Sequence, residues 1–250
     1  MDEIIVSAVY RSDYEKNGFH KIDKDGKLAR MDATDDQFSW TKRFVVSPSG
    51  EHVAYHHDDQ RDEKSYRSRP PRATISRLDG SGSHVYGPEQ ADGEYFSNIE
   101  WSRDGQRIYY ASWKRVSASS CPDGLSETKI WSMSVNEDGP ELAGEISPAA
   151  AAWSIKPAAD GDAFALVAFG CGDNPSPFKI WADGELRDLT PSLSYTDPRM
   201  AGISWSPDGT RVAILDNARD ARAVLHIVNP DGTGLVMLVR RNEDGSLAPG

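Results

Sequence analysis

One phrase returns four times along this chain, and it constrains the fold more than any other feature. It reads FVVSPSGEHVAY over 44–55, IEWSRDGQRIYY over 99–110, AAWSIKPAADGDAFALV over 151–167 and ISWSPDGTRVAIL over 203–215. Aligned on Ser47, Ser102, Ser154 and Ser206, the copies fall 55, 52 and 52 residues apart. Trp101, Trp153 and Trp205 precede the last three serines, and Val46 holds that place in the first copy. A second phrase alternates with it: FHKIDKDGKLARM (19–31), ATISRLDGSGSHVY (73–86), TKIWSMSVNEDGPEL (128–142), FKIWADGELRDL (178–189) and VLHIVNPDGTGLVML (224–238). Each copy is an alternating apolar run, a tight turn built around Asp-Gly or a similar pair, and another short run. That is the local pattern of a β-hairpin.

Together the two phrases make a four-stranded unit. In the last copy the strands are expected at 201–205, 211–216, 223–228 and 235–239. Such a unit cannot hide both faces alone, so copies must pack face to face. The expected fold class is therefore all-β: a β-propeller of four-stranded blades, whose radial closure also protects strand edges. An irregular β-sandwich gives no reason for W-S-x-D-G to recur at a near-fixed interval. Repeat units are placed at about 1–40, 41–96, 97–149, 150–198 and 199–240, with 241–250 as a tail, all in a single domain. Trp101, Trp153 and Trp205 are expected in core or inter-blade packing.

The string WSPDGTRVAILDN, followed by LHIVNPDGTGLVML, resembles the WD40-like repeat of TolB-type propellers. The copies at 101–110 and 47–55 resemble it more loosely. The copy at 153–167 departs from it by replacing S-P-D-G with the longer SIKPAADGD. The resemblance covers roughly residues 17–240 and implies the architecture. It leaves function open, because members include periplasmic partner-binding proteins, propellers attached to peptidases, and lyases.

Five copies of the second hairpin stand against four of the first. The N-terminal unit has IIVSAVY (4–10) as a second strand but lacks a first, and RRNEDGSLAPG after the last strand offers almost no alternation. Two readings stay open: five blades with a weak seam, or part of a six- or seven-bladed propeller in a longer chain. Net charge is −11, from 28 basic and 39 acidic residues. That disfavours non-specific attraction to nucleic acid or anionic membrane. No apolar run is long enough for a membrane helix, and the acidic N-terminus lacks the form of a signal peptide.

The turns after the first and third strands are short and stereotyped. The opposite connections, at 56–71, 113–127, 170–177, 32–40, 87–97 and 190–200, carry the length and variety. Long polar loops on a rigid scaffold are where binding usually resides, which places the candidate face there. Its candidates are His56, His57, Asp58, Asp59, Arg61, Arg67, Arg69, Tyr95, Trp113 and Tyr195, with Trp40 and Tyr66 as further loop aromatics. His56 to Asp59 lack the spacing of a zinc or calcium motif, since neighbours on a strand point apart. A divalent cation would need donors from another loop, such as Asp92 or Glu94. The basic residues of 61–72 suit an acidic partner or a glycan carboxylate.

Cys121 and Cys171 each lie ten residues before a tryptophan, Trp131 and Trp181, in corresponding loops. A disulfide between them would require Cα atoms within about 7 Å. It would point to a periplasmic or secreted protein; two free thiols would suit the cytoplasm. No G-x-S-x-G, GxGxxG or Walker pattern occurs, and no cofactor is implied. The reading favours a non-catalytic scaffold that binds a protein, or a glycan, through the long-loop face. The alternative is the propeller portion of an enzyme, either a serine peptidase's non-catalytic domain or a metal-assisted polysaccharide lyase.

Overall fold

The computed structural model describes residues 4–8, 18–22, 25, 28–30, 44–57, 72–78, 85–87, 94–115, 125–136, 139–146, 150–170, 177–190, 202–217, 223–241 and 246–249. Every regular element among them is a strand, and the strands form five antiparallel sheets. The first joins β1 (Ile4–Ala8), β2 (Gly18–Ile22) and β3 (Leu28–Arg30). It has three strands, as the missing first phrase predicts. The second runs β4 (Phe44–Val46), β5 (His52–His57), β6 (Arg72–Arg77), β7 (Val85–Tyr86). The third holds β8 (Glu94–Phe96) and β9 (Glu100–Trp101), both on β10 (Arg107–Arg115), then β11 (Leu125–Ser134) and β12 (Pro140–Ile146). The fourth is β13 (Ala150–Pro157), β14 (Ala163–Gly170), β15 (Phe178–Ala182), β16 (Glu185–Asp188). The fifth is β17 (Gly202–Trp205), β18 (Val212–Asn217), β19 (Ala223–Val228), β20 (Val236–Arg241), with β21 (Leu247–Pro249) paired to β20. That last strand corrects the expectation for the tail, whose Leu-Ala-Pro segment folds back as a short hairpin arm.

The chain divides into two compact units. One comprises Met1–Asp92, Asp104–Ile108 and Met133–Pro140; the other comprises Gly93–Arg103, Tyr109–Ser132 and Glu141–Gly250. In the first, Val53, Tyr55 and Leu78 form a small core, with Phe44 and Val46 packed against it.

In the second unit, two larger cores lie between successive sheets. Tyr109, Ala111 and Ile130 of the third sheet meet Ile155, Phe164, Leu166 and Trp181 of the fourth. Ala165, Val167, Phe178 and Ile180, on the other side of the fourth sheet, meet Ile203, Val212, Ile214 and Val228 of the fifth. Period-two alternation thus sends each sheet's two apolar sets to two different neighbours. Trp181 ties the first junction further. Its indole N–H donates to the Glu145 carbonyl at 3.0 Å. A Cβ on Gly144 would sit 2.5 Å from the Trp181 ring, so only glycine lets β12 approach this closely. At the second junction the Trp205 indole N–H donates to the Lys156 carbonyl at 2.9 Å, as expected for inter-sheet packing.

The repeated turn has a common hydrogen-bond frame. Ser206 N–H donates to the Arg211 carbonyl, Gly209 N–H to the Ser206 carbonyl, and Arg211 N–H to Ser206 Oγ, at 2.8, 2.9 and 2.9 Å. Ser47 makes the same three bonds with His52 and Gly50. In the fourth sheet, however, the frame belongs to Ala158: its N–H donates to Ala163 and its carbonyl accepts from Gly161. The position equivalent to Ser206 is therefore Ala158, not Ser154, and Pro157 stands where Trp205 does. The W-S match at Trp153 is out of frame by four residues. Trp153 instead sits where the β13–β14 register shifts between Ala152 and Ser154, and it is 46% exposed. The expectation that it packs like Trp205 is corrected accordingly.

Asp208 secures its turn from within. Its Oδ1 accepts from Ser206 Oγ, Thr210 N–H and Thr210 Oγ1. These bonds, the Ser206 hydroxyl foremost, hold its carboxyl well below the usual range, at about 2. Thr233 does the same for Asp231 in the β19–β20 turn and lowers that carboxyl too. Between β15 and β16, Asp183 and Gly184 both take positive φ, 55° and 79°, the two-residue turn whose twist suits a hairpin.

Two outcomes are expected. Trp181→Ala removes the largest side chain of the first junction and lowers unfolding stability by about 3–5 kcal/mol in chemical denaturation. The Asp208 carboxyl titrates near 2 by NMR, against an ordinary 3.8. Because its folded value is depressed, its stabilisation is complete above the unfolded value and is lost as pH falls through about 2.

Candidate binding face

The described part of the candidate face is aromatic. Tyr95 opposes Trp113 in the β8–β10 register, at the end of the third sheet from which the β10–β11 connection leaves. Their rings stack with centroids 6.0 Å apart and planes 20° apart. Trp153, turned out at the β13 register shift, lies 5.9 Å from Trp113 at 49°. Bulges commonly re-aim a side chain in this way. Trp113 is 5% exposed while Tyr95 and Trp153 are both 46% exposed. A buried indole thus carries two half-exposed rings, the type of surface that buries area while keeping a polar handle.

A break in the first strand positions this group. β8 and β9 both pair with β10, and residues 97–99 interrupt them. Ser97 keeps the ladder satisfied: its N–H donates to the Ala111 carbonyl at 2.9 Å, and its Oγ accepts from Ala111 N–H at 2.8 Å. Asn98 is released toward the fourth sheet, where its Oδ1 accepts from Ile155 N–H at 2.9 Å and its Nδ2 donates to the Ile155 carbonyl at 3.4 Å. Glu100 completes the bridge by pairing with Lys156 at 2.6 Å and accepting from Asn98 Nδ2. On the opposite face of β10 from Trp113, Tyr110 is 1% exposed and its ring meets Phe96 edge-on. Burial first, and the Glu94 carboxylate second, push its phenol well above the ordinary value of 10.0.

Several sequence expectations change here. Trp113 and Tyr95, read as loop residues, belong to β10 and β8, because regular pairing extends further than the apolar alternation. Trp113 is accordingly buried rather than exposed. Trp153 was missed as a surface residue. Its signal is legible on counting back from Asp160-Gly161 instead of aligning on W-S.

His56 and His57 end β5, opposite Ala73 and Arg72. His56 is half-buried. Asp58, Asp59, Arg61, Arg67, Arg69 and Tyr195 lie outside the described residues, as do Cys121 and Cys171 and the pairing considered for them. Among the described residues, no group of three or more His, Cys, Asp or Glu side chains is placed to hold a metal ion. No described helix is long and apolar enough to cross a membrane.

No protein-family pattern matches the chain, and no curated protein sequence matches it. Solved structures do. An oligogalacturonate lyase in complex with manganese superposes with TM-score 0.63 at 15% identity, over 91% of this chain and 62% of that one. Prolyl oligopeptidase B from Galerina marginata, bound to a macrocyclization substrate, gives 0.57 at 14%, over 97% of this chain and 34% of that one. The putative TolB from Agrobacterium tumefaciens gives 0.50 at 14%, over 89% and 73%. The chain thus spans less than two thirds of the lyase and about a third of the peptidase. Its fold is distantly related to the propeller domains of TolB and prolyl-oligopeptidase-type proteins, and the likeness is one of fold alone.

One titration checks the burial of Tyr110. The Tyr110 phenol is expected to stay protonated as the other tyrosines ionise, in absorbance-monitored titration through pH 11 or so. Because its folded pKa is raised, its stabilisation is complete below about 10 and is lost as pH climbs toward the folded value.

Proposed function

We propose that this chain is the non-catalytic propeller of an enzyme, of the kind that accompanies a serine-peptidase catalytic domain. The observation that carries the reading is the alignment of 97% of this chain with about a third of prolyl oligopeptidase B. Other peptidase structures support it, including a puromycin-hydrolyzing peptidase from Mycobacterium tuberculosis, matched over 90–97% of this chain at TM-scores of 0.50–0.53. In this role the long-loop face of the propeller would meet substrate or the catalytic domain, and Tyr95 and Trp153 would supply apolar contact there. His56, His57, Asp58, Asp59, Arg61, Arg67, Arg69 and Tyr195 remain proposed members of the same face.

A second reading is a TolB-like scaffold that binds a protein partner or a glycan without a catalytic domain. The coverage of 73% of the putative TolB chain favours it.

An antibody raised against the fifth-sheet segment, used on extracts of the source cells with a fluorophosphonate probe, separates the two. The enzyme reading expects a native polypeptide well above 27.5 kDa that takes the serine-hydrolase label, while the isolated 250-residue chain does not. An unlabelled native polypeptide of about 27.5 kDa would sink it in favour of the scaffold. Manganese-dependent cleavage of oligogalacturonate by the chain itself would sink both.

A further inference from the structure

Asp-Gly is the recurring turn pair of this chain, and five copies lie wholly among the described residues: Asp104-Gly105, Asp160-Gly161, Asp183-Gly184, Asp208-Gly209 and Asp231-Gly232. Four of these hold the aspartate from within the turn. The carboxylates of Asp104 and Asp160 accept the N–H two residues on, from Gln106 at 3.0 Å and Asp162 at 3.2 Å. Asp208 and Asp231 accept both the N–H and the hydroxyl of Thr210 and Thr233, and Asp208 accepts from the Ser206 hydroxyl as well. Three of the glycines are tied too: Gly161, Gly209 and Gly232 each donate their N–H to the carbonyl three residues back.

Asp183-Gly184 lacks both restraints. It is the two-residue turn between β15 and β16, closed by the pairing of Ala182 with Glu185. Among the described residues no donor reaches the Asp183 carboxylate, and the Gly184 N–H meets no acceptor. Both residues are exposed, and a Cβ built on Gly184 would meet nothing within 4 Å. Asp183 is also, among the described residues, the one non-glycine residue with positive φ, at 55°, a conformation that L-residues hold at a cost.

We infer that Asp183 is a modification site, converting spontaneously to an isoaspartate whose freed α-carboxyl is open to enzymatic methylation. The Gly184 nitrogen attacks Asp183 Cγ, and the new N–Cγ bond closes a succinimide ring as the carboxyl hydroxyl and the amide hydrogen leave as water. Glycine presents no side chain to hinder that attack. Water then reopens the ring. Cleavage of N–Cγ restores aspartate; cleavage of the bond between the nitrogen and the Asp183 carbonyl carbon leaves the chain running through Cβ and Cγ. Only water is exchanged, so the conversion needs no co-reactant. The carboxyl must be protonated to lose water, and the bonds around Asp208 oppose this by holding it ionised down to about pH 2. The product carries one extra backbone carbon in a turn whose length sets the hairpin register. β16 then slips against β15, which parts Asp188 from Lys179 and shifts Leu186 from the junction with the third sheet.

The test is to age the folded 250-residue chain at neutral pH and label samples over time with an isoaspartyl-directed carboxyl methyltransferase and a radioactive methyl donor. Peptide mapping with electron-transfer fragmentation then assigns the isomerised residue. Label is expected to accumulate at Asp183 several-fold faster than at Asp104, Asp160, Asp208 or Asp231. Asp183→Asn keeps a residue pair that this turn favours, so it retains the fold, and it is expected to gain label faster still as the amide is lost. Ser206→Ala with Thr210→Val strips the side-chain bonds from Asp208 and is expected to raise labelling there several-fold, with Asp183 unchanged. An aged, folded chain with no label at Asp183 would overturn the proposal. So would labelling at any of the other four pairs ahead of it.

Discussion

Apolar sheet faces pressed on one another hold the larger unit together. No single sheet here could stand alone, since four short strands expose a face to water on each side. Phe164 and Leu166 point one way from β14, into the third sheet's Tyr109, Ala111 and Ile130. Ala165 and Val167 point the other way, into Ile203 and Val212. One strand thus stabilises two junctions through its pleat. Polar atoms follow that packing: the Trp181 and Trp205 indoles each donate to a carbonyl of the preceding sheet. Neither leaves a buried donor unsatisfied at the seam.

Turns act on a different scale from this packing. Ser206, Asp208 and Thr210 satisfy one another within five residues, and Asn229, Asp231 and Thr233 do likewise. Such turns fix strand register without reference to any neighbouring sheet. The pairing of Lys179 with Asp188 is intermediate. It crosses one pair of strands and gives a nearly buried lysine a carboxylate partner.

The strand order and most strand limits were legible because alternation and Asp-Gly turns are local signals. β19 runs over Ala223–Val228 as expected, and among the described residues the N-terminal sheet holds three strands. The fourth sheet misled because its turn keeps the Asp160-Gly161 pair but replaces the capping serine with Ala158. Trp153-Ser154 upstream then imitates the missing phrase. At the candidate face the aromatic residue types were legible but their exposures were not. Trp113 is buried because the pairing of β10 with β8 runs past the apolar alternation, and Trp153 is turned out by the register shift between Ala152 and Ser154. The bridge through Asn98 was invisible for a related reason: it exists only because the first strand breaks at 97–99.

The division of labour between turns and junctions bears on divergence. A turn that closes on its own side chains asks nothing of the next sheet. A junction asks only for apolar volume at alternate positions, as Tyr109 and Ala165 illustrate with side chains of very different size. Few positions therefore need a particular residue, and substitutions elsewhere can accumulate without moving a strand. A chain under this regime can drift to 14 or 15% identity while keeping its backbone course, which is the relation it bears to a lyase and a peptidase.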